Sequence, residues 1–475
     1  MKSEGDLVGK AILTVVAVAL CPLAAWATLG FGKLALYALM GLLALIIGVY
    51  IGLRHPLWLY WGTAAVLGGL PFAYFPGVHV PMYLLFAAGA ALAALVHPTA
   101  RSRLSKLEVA VVGLILASAL SLVATGVSLP ALLLYARWAI ATVAVIALLR
   151  LSRENLARFG RIFVYAASAN ALLGIAMATV DQQQLLLRPF RIFGYGVGAG
   201  LRESTALYVY SDEGRTIGRT LRLGGTWILP NSAALALATA LIMCLVLFEG
   251  WRRVCLSTAL VAALLLTLSR SLIFSVAIGL LLVLLFHAMR ARDRQIALGL
   301  VGLGIVAALL TPQVRERILS TFSDDDFAAN QRTDAIAAFP GHMAGNWVFG
   351  LGWGRPEFRS GELAQSLNYV SNAPLLTIYR GGLVAGVMFV AVLIIGCVMA
   401  YRALRSPSLT HATFGGIFIG IALVANNLQQ SVVDMPQMTL TFSVLLVFMV
   451  YVDQSRGAAP PGPELADSPR ELAAR

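Results

Sequence analysis

Long apolar runs separated by short polar breaks make up most of this chain. About fourteen of these runs, from Ala11 to Val452, are long enough for a helix to cross a hydrocarbon core about 30 Å thick. The shortest runs also fit re-entrant or tilted helices. The pattern therefore predicts an all-α, polytopic membrane helical bundle of about 12–14 transmembrane helices.

Two longer polar segments, residues 181–226 and 312–382, interrupt this rhythm. The even number of runs places both termini on one side of the membrane, and the alternation of runs places both long segments on the opposite, outer side. The second segment is predicted to be partly helical, with short helices at Thr333–Ala338 and Pro356–Leu367. Between them, the glycine-rich Gly350–Gly354 indicates tight turns, and a phosphate cradle is the alternative.

The chain thus divides into six parts. Residues 1–180 form the N-terminal transmembrane helices, 181–226 the first outer loop, 227–311 transmembrane helices that include a hairpin, 312–382 the large outer loop, 383–452 the C-terminal transmembrane helices, and 453–475 a disordered inner tail.

The hairpin is predicted from Arg270, the one charged residue in the apolar stretch from Val254 to Met289. About 36 residues of helix would extend ~54 Å, which is too long for one span. Basic residues flank both ends of the stretch, so both ends should be cytoplasmic and the chain must cross twice. Arg270 then lies at the outer tip. An arginine at the bilayer centre costs about 2.5–3.5 kcal/mol, so one in this stretch indicates a function.

The composition and charge agree with a membrane protein. Hydrophobic residues make up 59% of the chain and charged residues 12%, and the mean hydropathy is +0.83. The net charge of +13 reflects orientation rather than a nucleic-acid partner, because the basic residues concentrate in short loops on the side of the termini, whereas the short outer loops hold only Lys33. Both termini are therefore predicted to be cytoplasmic, with membrane lipids as partners and no nucleic acid.

Arginines are also concentrated in the two long outer segments. They are Arg188, Arg191, Arg202, Arg215, Arg219 and Arg222 in the first, and Arg315, Arg317, Arg332, Arg355, Arg359 and Arg380 in the second. Guanidinium groups stay charged and bind phosphate oxygens in a bidentate way. An outward-facing cationic cleft of this kind suits an anionic ligand such as a diphosphate.

Three stretches in the second half of the chain resemble the O-antigen ligase and O-antigen polymerase superfamily. They are Arg222–Asn231, with its arginine, two glycines and Pro-Asn; Leu268–Ser271, a Ser-Arg hairpin tip; and the set Arg332, Gly350–Gly354, Ser371–Asn372 and Gly381–Leu383. The resemblance covers residues 222–388. Members of this superfamily are membrane glycosyltransferases that use polyprenyl-diphosphate-linked glycans.

The resemblance implies a reaction at the outer, periplasmic face of a bacterial inner membrane. A hydroxyl of a glycan or lipid-linked acceptor attacks the anomeric carbon of an oligosaccharide held on a polyprenyl diphosphate, and the lipid diphosphate leaves. Arginines can stabilise the departing charge without a metal, and no cofactor is implied. The run Asp324–Asp326 lacks further ligands nearby, so a solvated loop is favoured over a metal site.

The expected diphosphate site combines Arg222 and Arg270 with Arg332 and Arg191. Arg137 lies ~10 Å below the outer end of its span. It either reaches the same cavity or extends to the outer headgroups. Asn231 belongs to the same motif as Arg222.

One departure from the family pattern bears on the chemistry. Ligases of this family carry a histidine-asparagine pair where this chain has Ser371 and Asn372. A serine cannot accept a proton unaided at neutral pH, so a general base must come from elsewhere. His342 in the same loop is the candidate, and Asp334, Glu357 and Glu362 share that loop. The missing histidine favours a polymerase of surface polysaccharide, or a divergent transferase, over a ligase that transfers glycan to lipid A-core.

A transporter of lipid-linked glycans or anions is the alternative from another functional class. Such proteins often show repeated halves and helices interrupted near the membrane midplane. This sequence shows no repeat, and its unusual arginines lie at the edges of outer loops.

Overall fold

The structure is a computed structural model, and it describes most of the chain after residue 45. The described residues are 46–48, 50–75, 80–97, 104–180, 185–195, 208–210, 216–292, 327–355 and 370–455, with a few further positions between 294 and 306. Asp324–Asp326, the helix predicted at Pro356–Leu367, the carboxylates Glu357 and Glu362, and the tail after residue 455 lie outside them.

The described residues form a bundle of α-helices. The helices are α1 Pro56–Gly69, α2 Met82–Val96, α3 Lys106–Ala124, α4 Leu129–Leu149, α5 Arg153–Thr179, α6 Pro230–Leu247, α7 Gly250–Leu266, α8 Arg270–Phe286, α9 Phe327–His342, α10 Ala373–Leu404, α11 Leu409–Gly420 and α12 Pro436–Ser455. The first outer loop adds a 3₁₀ segment at Leu185–Phe193 and two short antiparallel strands, β1 Tyr208–Tyr210 and β2 Thr216–Leu221.

Seven helices within the described residues are long and apolar enough to cross a membrane. They are α3, α4, α5, α6, α10, α12, and α11 continued to Leu428. The apolar helices α2 and α8 are shorter. The predicted all-α, polytopic helical bundle is confirmed. The predicted total of 12–14 spans includes apolar runs before residue 46 that lie outside the described residues.

Caps and prolines determine where the helices begin. At one end of the bundle, Ser105 and Glu108 form a capping box that starts α3, and serines also cap α5 and α11. At the other end, a proline in the first turn begins α4, α6 and α10. A proline is tolerated there because the first-turn N–H groups have no partner within the helix.

The core lies where α5, α6 and α12 meet, and α6 and α12 are the most enclosed of the seven spanning helices. Phe159 and Phe163 of α5 and Phe448 of α12 are fully buried there. Large apolar residues remain exposed on the outward faces of α3 and α10, such as Leu120 and Ile394. Such exposure suits helices that face lipid.

Basic residues of the short loops gather at one end of the bundle. Arg150 pairs with Glu108 at 3.2 Å, and Arg153 donates to Ser455 Oγ at 2.6 Å. We call this the inner end and the opposite one the outer end, following the positive-inside rule. The orientation itself stays a prediction.

Helix α10 begins at Ala373, within the segment assigned from sequence to the large outer loop, and it is broken at Gly382 (φ 78°, ψ 178°). The turn formed by residues 347–351 satisfies backbone groups at the break. Leu383 N donates to Trp347 O (2.8 Å) and Leu351 N to Tyr379 O (2.7 Å). Gly350, Gly352 and Gly354 all have positive φ, which confirms the predicted tight turns.

Replacing Gly382 by alanine should destabilise the protein. A left-handed φ costs a non-glycine residue about 1–3 kcal/mol, and the added Cβ would also collide with Val348 O. Titration of the detergent-purified protein with SDS should show a lower free energy of unfolding. Gly341→Ala is the matched control, since a Cβ there meets nothing within 4 Å. Equal stability of the two variants would contradict the inferred packing.

Candidate functional site

A turn separates two helices at Arg270, where the sequence predicts a transmembrane hairpin. Helix α7 ends at Leu266, residues 267–269 turn the chain, and Arg270 is the first residue of α8. The turn is tight, with Leu268 at φ 50°, and Thr267 and Ser269 are buried. Arg270 is half-buried. The start of a helix carries partial positive charge from its unpaired N–H groups, so both Arg270 and the backbone here favour an anion.

Arg222 is bound directly to this hairpin tip. Its Nε donates to Thr267 O (2.9 Å), and its Nη2 donates to Asn231 Oδ1 (3.1 Å) at the start of α6. The next residue extends the contact, since Leu223 N donates to Leu266 O (2.9 Å). Three residues predicted for the site, Arg222, Asn231 and Arg270, therefore lie together although up to 48 positions separate them in sequence.

Gly225, the second glycine after Arg222, lets the chain approach helix α5 closely. Gly225 has φ 56°, and a Cβ on it would lie 2.5 Å from Asn170 Oδ1. That amide oxygen instead accepts from Thr226 N (2.9 Å), and the Thr226 hydroxyl donates to Gly69 O (2.6 Å) at the end of α1. The motif Arg222–Asn231 is thus a turn whose backbone is fixed by α1 and α5 so that the Arg222 side chain reaches the hairpin.

Asn372 acts as the cap of helix α10. Its Oδ1 accepts from Leu375 N (2.9 Å), and its Nδ2 donates to Asn427 O (3.3 Å) and Asn427 Oδ1 (3.2 Å). Asn372 is buried, whereas Ser371 is half-buried. The asparagine of the predicted Ser-Asn pair therefore has a structural partner in the turn between α11 and α12.

That turn joins the separate parts of the site. We call residues 426–435 the connector; it contains the short helical turns Asn426–Leu428 and Ser431–Asp434. Gln429 donates to Ser271 Oγ beside Arg270, and Ser232 Oγ contacts Met435 Sδ (3.6 Å) beside Asn231. The connector was not identified by sequence reasoning. The one signal was Asp434, a lone carboxylate between two apolar runs.

Asp434 is ion-paired with Arg380 of α10. Arg380 is buried, its Nη1 also donates to Val433 O (3.3 Å), and its guanidinium lies 5.5 Å from the centre of the Trp353 ring. Trp353 packs in turn on Trp138 of α4, with ring centres 4.9 Å apart. Arg380, which the sequence grouped with the outer-loop arginines, thus connects the connector to α4 and to the glycine-rich turn.

Arg332 and His342 both lie on helix α9 and are half-buried. His342 is the last residue of α9, and Gly345 and Gly350 follow in the glycine-rich segment. Asp334 of the same helix is exposed. The assignment of Arg332 and His342 to an outer loop, and their roles in the site, stay predictions.

Arg191 and Arg137 are both exposed. Arg191 lies in the 3₁₀ segment, which is anchored by Tyr195: Phe72 N donates to the Tyr195 hydroxyl (3.1 Å), and burial raises the pKa of this phenol above its ordinary value. Arg137 of α4 interacts electrostatically with Tyr83 near the outer start of α2. Neither arginine is hydrogen-bonded or ion-paired to another predicted site residue within the described part of the chain.

No group of three His, Cys, Asp or Glu side chains among the described residues is placed to hold a metal ion. The acidic run Asp324–Asp326 lies outside those residues. The predicted metal-independent chemistry therefore stays a prediction.

Comparison with protein families gives one match. Residues 255–390 match the family model described as O-antigen ligase, a range that contains the α7–α8 hairpin, α9, the glycine-rich turn and the first part of α10. The resemblance predicted from the sequence motifs is confirmed by this match. Arg222, Asn231 and the connector lie outside it. A search of curated proteins found no match.

The Arg380–Asp434 pair should be energetically coupled. Removing one partner of a largely buried ion pair leaves an uncompensated charge, so Arg380→Ala should lower the free energy of unfolding by at least about 2 kcal/mol. The double variant Arg380→Ala/Asp434→Ala should lose less than the sum of the two single variants. SDS titration in detergent measures all three. Additive single effects, or losses no larger than that of exposed Arg188→Ala, would contradict the coupling.

Proposed function

Because residues 255–390 carry the O-antigen ligase family segment, we propose that this protein transfers or polymerises a polyprenyl-diphosphate-linked glycan at the outer face of the bacterial inner membrane. The observation that supports this most strongly is the hydrogen bonding of Arg222 to the Arg270 hairpin tip and to Asn231. Two guanidinium groups from distant parts of the chain are thereby held at the outer end of the bundle.

The chemistry needs little beyond charge and position. A diphosphate is already a good leaving group, so the enzyme mainly has to stabilise its developing charge and orient the acceptor hydroxyl. In this proposal Arg222 and Arg270 bind the diphosphate together with the start of helix α8, and Arg332 and Arg191 complete the cage. The hydrogen bonds from Arg222 to Thr267 O and Asn231 Oδ1 hold this guanidinium at the hairpin tip.

Surface polysaccharide polymerase is the favoured form of this activity. Ser371 stands where ligases of this family carry a histidine, and the neighbouring Asn372 is committed to capping α10. His342 at the end of α9 is the proposed base. The family description itself favours the alternative, an O-antigen ligase that transfers glycan to lipid A-core.

Complementation of a deletion strain tests the arginines and the type of activity together. Arg222→Ala and Arg270→Ala should each lower glycan transfer about 100-fold or more while the protein still inserts, because each removes a preorganised charge from the leaving group. Arg54→Ala, which removes an exposed arginine outside the two outer segments, is the matched control and should restore glycan fully.

The glycan that accumulates distinguishes the alternatives. Single repeat units on the lipid carrier indicate a lost polymerase, and long unattached chains indicate a lost ligase. Transfer by the purified protein without a gradient or nucleotide supports the enzyme. Flux of lipid-linked glycan into proteoliposomes without bond formation would show a transporter and would refute the proposal. Full glycan transfer by the Arg270→Ala variant would refute it as well.

The general base has its own test. If His342 takes the proton from the acceptor hydroxyl, His342→Ala should lower kcat about 100-fold or more. Ser371→Ala should stay within about threefold of the natural protein, because the serine has no base of its own. Initial rates with purified protein and lipid-diphosphate oligosaccharide measure both, and an unchanged kcat for His342→Ala would contradict its role as the base.

A further inference from the structure

A cavity of about 300 Å³ opens at the outer end of α3, next to the break in α10. It is lined by Ala124 and Thr125 at the end of α3, by Arg355, and by the glycine-rich turn from Gly345 to Leu351. Helix α3 packs chiefly on α10 and α4, whereas the Arg222–Arg270 pair lies where α6, α7 and α8 meet. The cavity is therefore separate from the proposed diphosphate site.

One wall of the cavity offers hydrogen-bonding groups with unused capacity. Thr125 Oγ1 donates to Ser121 O (2.9 Å) and keeps its lone pairs. Asn346 Nδ2 makes one bond, to Ala344 O (3.3 Å), and Asn346 Oδ1 accepts none from the described residues. Arg355 is exposed and has no ion-pair partner among the same residues. A hydroxyl, an amide and a guanidinium thus face one space.

The other wall is apolar and open to the outer side. Phe349 is 49% exposed and Val348 62% exposed, and both line the cavity together with Leu351. Residues 344–349 are all exposed, so this wall is accessible to a ligand. A sugar ring has the matching chemistry, with a C–H face that packs on apolar groups and an edge of hydroxyls that needs donors and acceptors.

The frame of the cavity is rigid. A Cβ on Gly350 would lie 2.6 Å from Tyr379 O, and one on Gly352 would collide with Thr125 Oγ1. The Ser121 hydroxyl donates to Arg380 O (2.8 Å) and also contacts Phe349 O. The turn is therefore held on both α3 and the break in α10, and a preformed site loses less entropy when a ligand binds.

We propose that this cavity binds a sugar ring of the acceptor glycan. The inference rests on the proposed function, in which the donor is held by its diphosphate at Arg222 and Arg270. None of the residues that line the cavity belongs to α6, α7 or α8, which surround Arg222 and Arg270, so we assign the cavity to the acceptor and not to the donor diphosphate. Arg355 and Asn346 are specificity-determining residues for the acceptor in this arrangement, and they take no part in binding the diphosphate.

The test measures acceptor and donor dependence separately in the full-length protein purified in detergent. Arg355→Ala and Asn346→Ala should each raise the acceptor KM about tenfold or more, since each removes hydrogen bonds to the sugar. The kcat and the donor KM should stay within about twofold. Arg54→Ala, which removes an exposed arginine outside the two outer segments, should change none of the three constants. An unchanged acceptor KM, or a raised donor KM, overturns the inference.

A binding measurement separates failure of this site from failure of the proposed function. The probe is the repeat-unit oligosaccharide released by mild acid from the surface glycan of the same bacterium, observed by saturation-transfer NMR with Arg270→Ala protein, which is expected to be inactive. If the Arg355→Ala substitution, introduced into the Arg270→Ala protein, abolishes binding of the oligosaccharide, the cavity is supported as a sugar site even if no transfer is ever detected. If the oligosaccharide still binds when both Arg355→Ala and Asn346→Ala are present, the proposed sugar site is refuted even if the natural protein transfers glycan efficiently.

Discussion

The arrangement of the outer end depends on one guanidinium group. Arg222 is half-buried next to apolar spans, where an unsatisfied charge would be costly, and it meets this constraint by donating to Thr267 O and Asn231 Oδ1. These two bonds fix the start of α6 and the α7–α8 tip relative to each other. Arg270 is the first residue of α8, three positions after Thr267, so the contact of Arg222 with the tip also places the start of α8.

The connector, residues 426–435, extends this constraint to the rest of the outer end. It contacts Ser271 through Gln429, Ser232 through Met435, Asn372 through Asn427 and Arg380 through Asp434. The Arg380 guanidinium then lies over Trp353, which packs on α4. Residues near both ends of the matched segment 255–390, and residues outside it, are thereby joined in one continuous set of contacts. Stabilisation of a leaving diphosphate requires charges that are held in place in this way before the reaction.

Local and periodic features of the fold were predictable from the sequence. The run length around Arg270 predicted the hairpin, because ~54 Å of helix exceeds one bilayer, and the glycines at 350, 352 and 354 predicted turns. The break in α10 at Gly382 was not predictable from hydropathy, since the residues on both sides are apolar or small and the compensating bonds come from the distant turn at residues 347–351.

The candidate site was predictable where a residue is unusual for its surroundings. Arg222 and Arg270 met that condition, whereas Gln429 and Asn427 are ordinary loop residues whose importance comes only from long-range contacts. Arg380 was noticed as an outer arginine, but its buried pairing with Asp434 depends on a turn that begins 46 residues later in the chain. Sequence spacing carries no information about such pairs.

The central claim is that Arg222 and Arg270 jointly bind a lipid diphosphate. A cryo-electron microscopy structure of the protein with a bound polyprenyl diphosphate measures this most directly. The account predicts phosphate oxygens within hydrogen-bonding distance of both guanidinium groups, at the start of α8. A diphosphate bound elsewhere on the bundle, with these two arginines contacting only protein, would contradict it.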